Sequence, residues 1–247
     1  MSGHSHWATI RRKKGAVDAK KGQIFSKLAR AITLAAKQGG GKPESNINLQ
    51  YAIERARAAS MPKDNIDRAV KKGTGELGGA SLETLTYEGV GAGGVLIIIE
   101  CLTDNRNRTA GEIRKILELR NAAMGSGLWA FEQKGLITVP NTAITEDALM
   151  EAALEFGADD VQAAGDSFQV TTAPSDLEAV RKGLLSKEIP LGNVELALIP
   201  KTTVPVTAEA GRKLMDLLAE LDDHEDVQNV YSNMELPDSL LNETDEE

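Results

Sequence analysis

The sequence predicts an α+β chain divided into several small domains, a helical one first and two α+β ones after it. Three observations carry this. Apolar residues recur at helical spacing as far as Val70, and the pattern then changes to strand-like alternation and short apolar runs. A stretch with four glycines, Gly73 to Gly79, separates the two regimes. Charge divides at the same place. Residues 1–75 hold 16 Lys or Arg against 5 Asp or Glu, a net of +11 in a chain of net −9, which leaves −20 on the remainder.

The elements follow in order. Ile24, Phe25, Leu28, Ile32 and Ala35 share one face of a first helix, which Gly39-Gly40-Gly41 ends. A second helix follows Pro43-Glu44-Ser45-Asn46 and presents Leu49, Ala52, Ile53 and Ala56. Pro62 opens a third, with Ile66, Ala69 and Val70 inward. Lys71 and Lys72 sit in its last turn, and Gly73 is placed for a left-handed cap. Leu82 to Tyr87 alternates as a strand, Gly89 to Gly94 turns, and Val95 to Ile99 is an apolar strand. Thr109 and Glu112 have capping-box spacing for a helix that turns Ile113, Ile116 and Leu117 inward.

Further on, Leu128 to Phe131 and Leu136 to Val139 read as two strands separated by Gln133-Lys134-Gly135. A helix over Thr145 to Phe156 follows, then strands near Val161 and over Phe168 to Thr172. The Ser175/Glu178 pair opens another helix, and Val194 to Ile199 is a strand. Pro200 and Pro205 bracket a crossover into a helix over Thr207 to Leu221 and a last strand over Val227 to Met234. This spacing fits two small α+β units better than one doubly wound sheet. The tail from Asn242 is acidic.

Bulk composition narrows the function. At 41% hydrophobic but 4% aromatic, the cores must be built from Ala, Leu, Ile and Val. The single cysteine, Cys101, rules out an intramolecular disulfide and any Cys-based zinc cluster, and suits a reducing compartment. No apolar run reaches the ~18–20 residues that span a membrane. No apolar segment follows the charged start as a secretory signal requires. A cytoplasmic location is expected.

Several motifs together resemble the YebC family, whose mitochondrial members are called translational activators of cytochrome c oxidase. They are Gly3-His4-Ser5-His6-Trp7-Ala8-Thr9-Ile10, Lys13-Lys14, Asp18-Ala19-Lys20-Lys21-Gly22, Met61-Pro62-Lys63-Asp64-Asn65-Ile66 and Lys72-Gly73-Thr74-Gly75. Tyr87-Glu88-Gly89, Thr103-Asp104-Asn105-Arg106-Asn107-Arg108-Thr109 and Met234-Glu235-Leu236-Pro237 continue the series over essentially the whole chain. The resemblance implies three domains, the third inserted into the second: 1–78 helical, 79–129 with 205–238 in the middle, 130–204 inserted, and 239–247 a tail. It also implies a regulator of gene expression. Bacterial members are described as DNA-binding transcriptional regulators; others act on the ribosome and relieve stalling at proline-rich stretches. No catalytic residues carry over. One departure is Asn121 to Gly127 before Trp129-Ala130-Phe131, shorter than the family's Gly-rich stretch, which bears on how the third domain is oriented.

The residues themselves point to a polyanion. Arg11, Arg12, Lys13, Lys14, Lys20, Lys21, Lys27 and Arg30 form a basic arm and first helix suited to phosphates. Trp7 is placed either to stack on a base or to dock on its own domain. Lys63, Arg68, Lys71 and Lys72, with Arg55 and Arg57, form a second set that Asp64 and Asp67 dilute. Asn105, Arg106 and Arg108 lie between a strand and a helix, where either an anion site or an Asx cap is consistent. Gly89 to Gly94 precedes a strand and not a helix, so it reads as a hairpin turn rather than a nucleotide loop. His4 and His6 lack further ligands nearby and His224 is remote, so no metal site is expected. Nor is a cofactor, a catalytic set or a small-molecule substrate. Cys101 continues a buried strand and is expected to be inert.

The function expected is that of a non-enzymatic, monomeric nucleic-acid-binding regulator. A ribosome-associated translation factor on ribosomal RNA is the leading form and a DNA-binding transcriptional regulator the alternative. The rival is an acidic interaction module whose basic end docks on its own acidic domains.

Overall fold

A computed structural model describes residues 18–78, 82–237 and 239–240, with side chains from Gly22 onward. The arm before Asp18 and the tail from Leu241 lie outside the described residues. Among the described residues three α-helices build the first domain: α1 (Asp18–Gly39), α2 (Ile47–Ala58) and α3 (Lys63–Gly73). Their buried stripes meet in one core of Ile32, Ala35, Ala36, Leu49, Ala52, Ile53, Ala56, Met61, Ile66 and Ala69. Ile24, read from the pattern as inward, is instead 46% exposed and faces a cleft.

Asn46 joins two of these helices. Its Oδ1 accepts from Leu49 N (3.1 Å) to cap α2, and its Nδ2 donates to the carbonyls of Ala35 and Gly40 (2.8 Å each). Gly73 differs from its expected role. It is the last residue of α3, and a side chain there would run into the Thr33 carbonyl and the Ala36 methyl group of α1. The left-handed cap falls to Gly75 (φ +86°): Glu76 N bonds the Lys71 carbonyl (3.0 Å) and Gly75 N the Lys72 carbonyl (3.4 Å).

The middle domain is an antiparallel sheet in the order β3-β1-β2-β9, formed by β1 (Glu83–Val90), β2 (Leu96–Thr103), β3 (Ala123–Met124) and β9 (Val227–Ser232). Gly93 and Gly94, both at positive φ, shape the β1–β2 turn as a hairpin. Helices α4 (Arg106–Leu119) and α7 (Ala208–Asp223) cover one face. Ile113, Leu117, Leu214, Leu217, Leu218 and Leu221 pack there on Val95, Ile97, Ile99, Val227 and Val230. The cap of α4 is Asn105, whose Oδ1 accepts from Arg108 N (3.1 Å); the expected Thr109 lies inside the helix, buried. β9 pairs with β2 through Ile98↔Tyr231, although the chain between them builds another sheet. The third domain is therefore inserted into the second. The short strands β8 (Val204–Pro205) and β10 (Met234–Glu235) pair in parallel beside the return.

That inserted domain runs β-α-β-β-α-β: β4 (Phe131–Pro140), α5 (Glu146–Glu155), β5 (Ala158–Ala164), β6 (Ser167–Thr172), α6 (Leu177–Ser186) and β7 (Val194–Pro200), with sheet order β5-β6-β4-β7. Both helices cover one face through Ile137, Val139, Leu149, Ala153, Val170, Val180 and Leu184. β4 is one strand, not two, because Gly135 pairs with both Thr172 and Leu196 and leaves room for Leu177 of α6 above it. No Ser175/Glu178 box forms: Asp176 precedes α6 without a side-chain cap, and Ser175 donates to it (3.1 Å). Ile98, Ala130 and Phe131, with Leu198 and Tyr231, seal the joint with the middle domain. Among the described residues no helix is long and apolar enough to cross a membrane.

Close packing at Gly73 gives a stability prediction. Gly73→Val should destabilise the protein by roughly 1–3 kcal/mol, read as a lower urea midpoint. Gly22→Ala, where nothing lies within 4 Å, should not lower it.

Candidate nucleic-acid interface

The cations of the helical domain divide into two groups. In α3, the stripe Ile66-Ala69-Val70 turns inward against α1, which leaves Lys63, Arg68, Lys71 and Lys72 on the outer face. All four are exposed, and none makes an ion pair among the described residues. Asp64 and Asp67, though spaced to pair with them, close no ion pair among the described residues either. Arg57 on α2 is exposed in the same way. Acidic side chains therefore dilute this face without neutralising it.

Lys27 and Arg30 do the opposite and turn toward the middle domain. The Lys27 ammonium donates to the Asp222 carbonyl and lies 3.7 Å from its carboxylate. Arg30 Nη1 reaches Asp226 Oδ1 at 2.8 Å, and Nη2 reaches Glu225 at 3.3 Å. Asp226 is fully buried. Arg108 Nη2 donates to its Oδ2 at 2.7 Å, joined by the hydroxyls of Thr109 (2.8 Å) and Thr103 (3.1 Å). Burial alone would push this carboxyl up. The bonds from Arg108 and Thr109, the charge of Arg30 and the bond from Thr103 outweigh it and hold the group below the ordinary aspartate value.

Of the loop residues expected to meet phosphate, Asn105 is the helix cap and Arg108 grips Asp226. Arg106 alone is exposed and without an ion pair among the described residues, its carbonyl accepting from the Tyr87 hydroxyl (3.3 Å). Arg11, Arg12, Lys13 and Lys14 lie outside the described residues, as do Trp7, His4, His6 and the side chains of Lys20 and Lys21.

The inserted domain is held by a second polar set. Tyr51 donates to Glu178, and Arg181 lies 3.2 Å from Glu54 and 5.5 Å from the Tyr51 ring centre. Arg55 pairs with Glu195 at 3.4 Å. Where the three domains meet, a cleft of about 710 Å³ opens between Ile24, Ile47 and Leu196. Cys101 lines it, buried, and burial pushes its thiol up to about 12, which fits the expected inertness.

The sequence placed His224 far from any ligand, but the fold brings Glu112, His224 and Asp226 within 4.8 Å of one another. The set does not fit a cation. Two guanidinium groups already hold both oxygens of Asp226, and His224 Nδ1 accepts from Asp226 N (3.1 Å), which leaves Nε2 facing Glu112 at 3.0 Å.

A basic helical domain is latched to two antiparallel α+β units, and the comparisons with known proteins follow the same division. The family model described as the TACO1/YebC protein N-terminal domain matches residues 5–76, and that of the TACO1/YebC second and third domain matches 82–234. The chain belongs to the TACO1/YebC family. A protein of Pelotomaculum thermopropionicum is 51% identical over 96% of this chain and 100% of its own length; one of Desulfotalea psychrophila is 49% identical over 98% of each. Both are named probable transcriptional regulatory proteins. The crystal structure of a conserved hypothetical protein from Aquifex aeolicus superposes with a TM-score of 0.84 at 40% identity, covering 90% of this chain and 93% of that one.

The Asp226 network predicts a pH signature. Because its folded value is depressed, Asp226 contributes stability above its unfolded value of about 4, and the contribution is lost as pH falls through the folded value. Asp226→Asn should cost roughly 3–5 kcal/mol at pH 7, and its gap from the parent should narrow below pH ~4 in urea titrations.

Proposed function

We propose that this protein is a regulator of gene expression that binds duplex DNA through the phosphate backbone, with the outer face of α3 as its principal contact. One observation carries the reading. Lys63, Arg68, Lys71 and Lys72 stand exposed and without ion pairs among the described residues in a chain of net −9, while Lys27, Arg30, Arg55 and Arg108 are engaged by carboxylates. An exposed cationic face attracts a polyanion locally even where the net charge of the chain is negative. In this reading the four cations contact phosphate, which fixes position on the duplex and carries little sequence information.

The relatives' names speak of transcription, and they move the reading from the ribosome, the leading form on sequence, to DNA. The action is binding rather than catalysis. Arg106 and the basic arm are additional contacts in this reading, and ribosomal RNA is the competing polyanion in its test.

Combining Lys63→Ala, Arg68→Ala, Lys71→Ala and Lys72→Ala should weaken duplex binding by at least tenfold. It should also flatten the plot of log affinity against log salt by about 3–4 units if all four meet phosphates, measured by fluorescence anisotropy between 50 and 200 mM salt. Unchanged affinity and slope would reject this face as the interface. Ribosomes that retain the protein at a salt concentration that strips it from DNA would return the ribosomal reading to the lead.

A further inference from the structure

The uncovered face of the inserted sheet closes a second cavity of about 310 Å³ against β9. Leu136 and Ala197 contribute to an apolar floor, Gln162 and Gln169 line it from neighbouring strands, and Tyr231 and Lys201 lie on the side of the joint. Gln169 is 5% exposed, yet its Nε2 has no hydrogen-bond partner among the described residues. Gln162, directly across the ladder, spends its own Nε2 on Asp160 (2.7 Å). A buried amide donor without a partner is costly, and a fold with no use for it would hold an apolar residue there at lower cost.

The charges give the ligand its polarity. Of the two carboxylates in the lining, Glu132 shares Lys134 with Asp159 (3.9 and 3.0 Å) and Glu195 pairs with Arg55 (3.4 Å), whereas Lys201 donates to the Trp129 carbonyl (2.9 Å) and makes no ion pair among the described residues. The cavity thus offers apolar side chains from the sheet, two amides that can hydrogen-bond the edge of a heterocycle, and at its rim one lysine that no carboxylate among the described residues holds. Its volume is at the small end for ligand sites, suited to a single nucleotide.

We propose that this cavity binds one nucleoside monophosphate unit, its base on the sheet and hydrogen-bonded by Gln169, its phosphate toward Lys201. The unit is either a free nucleotide or an unpaired residue of a strand; the second source rests on the nucleic-acid reading above, the first does not.

Calorimetric titration of the full chain with AMP and UMP, and separately with single-stranded tetranucleotides, tests it. One nucleotide per chain should bind, adenosine should bind more weakly than AMP, and inorganic phosphate alone should give no signal. Gln169→Leu should weaken nucleotide binding by about tenfold or more without lowering the melting temperature of the ligand-free protein. Lys201→Ala should remove the preference for AMP over adenosine. Binding of tetranucleotides but not mononucleotides, still sensitive to Gln169→Leu, assigns the unit to a strand. Binding that ignores Gln169→Leu overturns the proposal. So does no binding of any probe; a lower melting temperature in Gln169→Leu would then assign a buried water as the amide's partner. Duplex binding measured in parallel should be unchanged by Gln169→Leu. Loss of duplex binding in the parent chain would remove the α3 reading and leave the free-nucleotide arm standing.

Discussion

A carboxylate taken wholly out of water must be surrounded by donors, and Asp226 sets much of this architecture through that need. It sits between the end of α7 and the start of β9, where the chain returns after building the inserted domain. Arg108, Thr103 and Thr109 satisfy it from the middle domain, and Arg30 from the helical one. Its carbonyl accepts from Leu102 N (2.7 Å), fixing the loop to the end of β2. The position of α1 against the middle domain follows from where Arg30 must be. Lys27–Asp222 lies on the same side of α1, three residues from Arg30, and reinforces the same docking.

This latch sorts the positive charges. A guanidinium committed to a buried carboxylate has little left for phosphate, so Arg30 and Arg108 belong to the frame. Docking α1 inward leaves the four cations of α3 exposed, since α3 turns Ile66 and Ala69 into the helical core and its cations away from it. The rival notion, a basic end docking on its own acidic domains, is thus correct for one stripe of α1 and does not extend to α3. The same division bears on salt. Ion pairs around a buried group are screened little, whereas exposed lysines respond strongly.

Much of the fold was legible because local patterns agreed with it. Helical periodicity located the three N-terminal helices among the described residues, and Val95 to Ile99 announced the buried strand between two layers. The errors have a common cause. Thr109 has capping-box spacing but points into the Asp226 network, so Asn105 took the cap. Gly73 and Gly135 read as punctuation, but each marks a close approach by another element, Thr33 and Ala36 in one case and Leu177 in the other. The fate of Lys27, Arg30 and Arg108 was hidden for the same reason: their partners lie 118 to 196 residues away in sequence. Local charge density counts cations but cannot say which are already engaged. Gln169 gave no sequence signal at all, since a strand glutamine looks like a solvated one until the sheet face is covered.

The central claim is that α3's lysines meet nucleic acid while Lys27 serves the frame, and residue-resolved lysine acetylation with and without duplex DNA tests it most directly. Brief treatment with acetic anhydride, read by mass spectrometry, should label Lys63, Lys71 and Lys72 quickly in the free protein and Lys27 slowly. Added DNA should protect the first three and leave Lys27 unchanged. Lysines 63, 71 and 72 labelled equally in both states, under conditions where DNA is bound, would contradict the account.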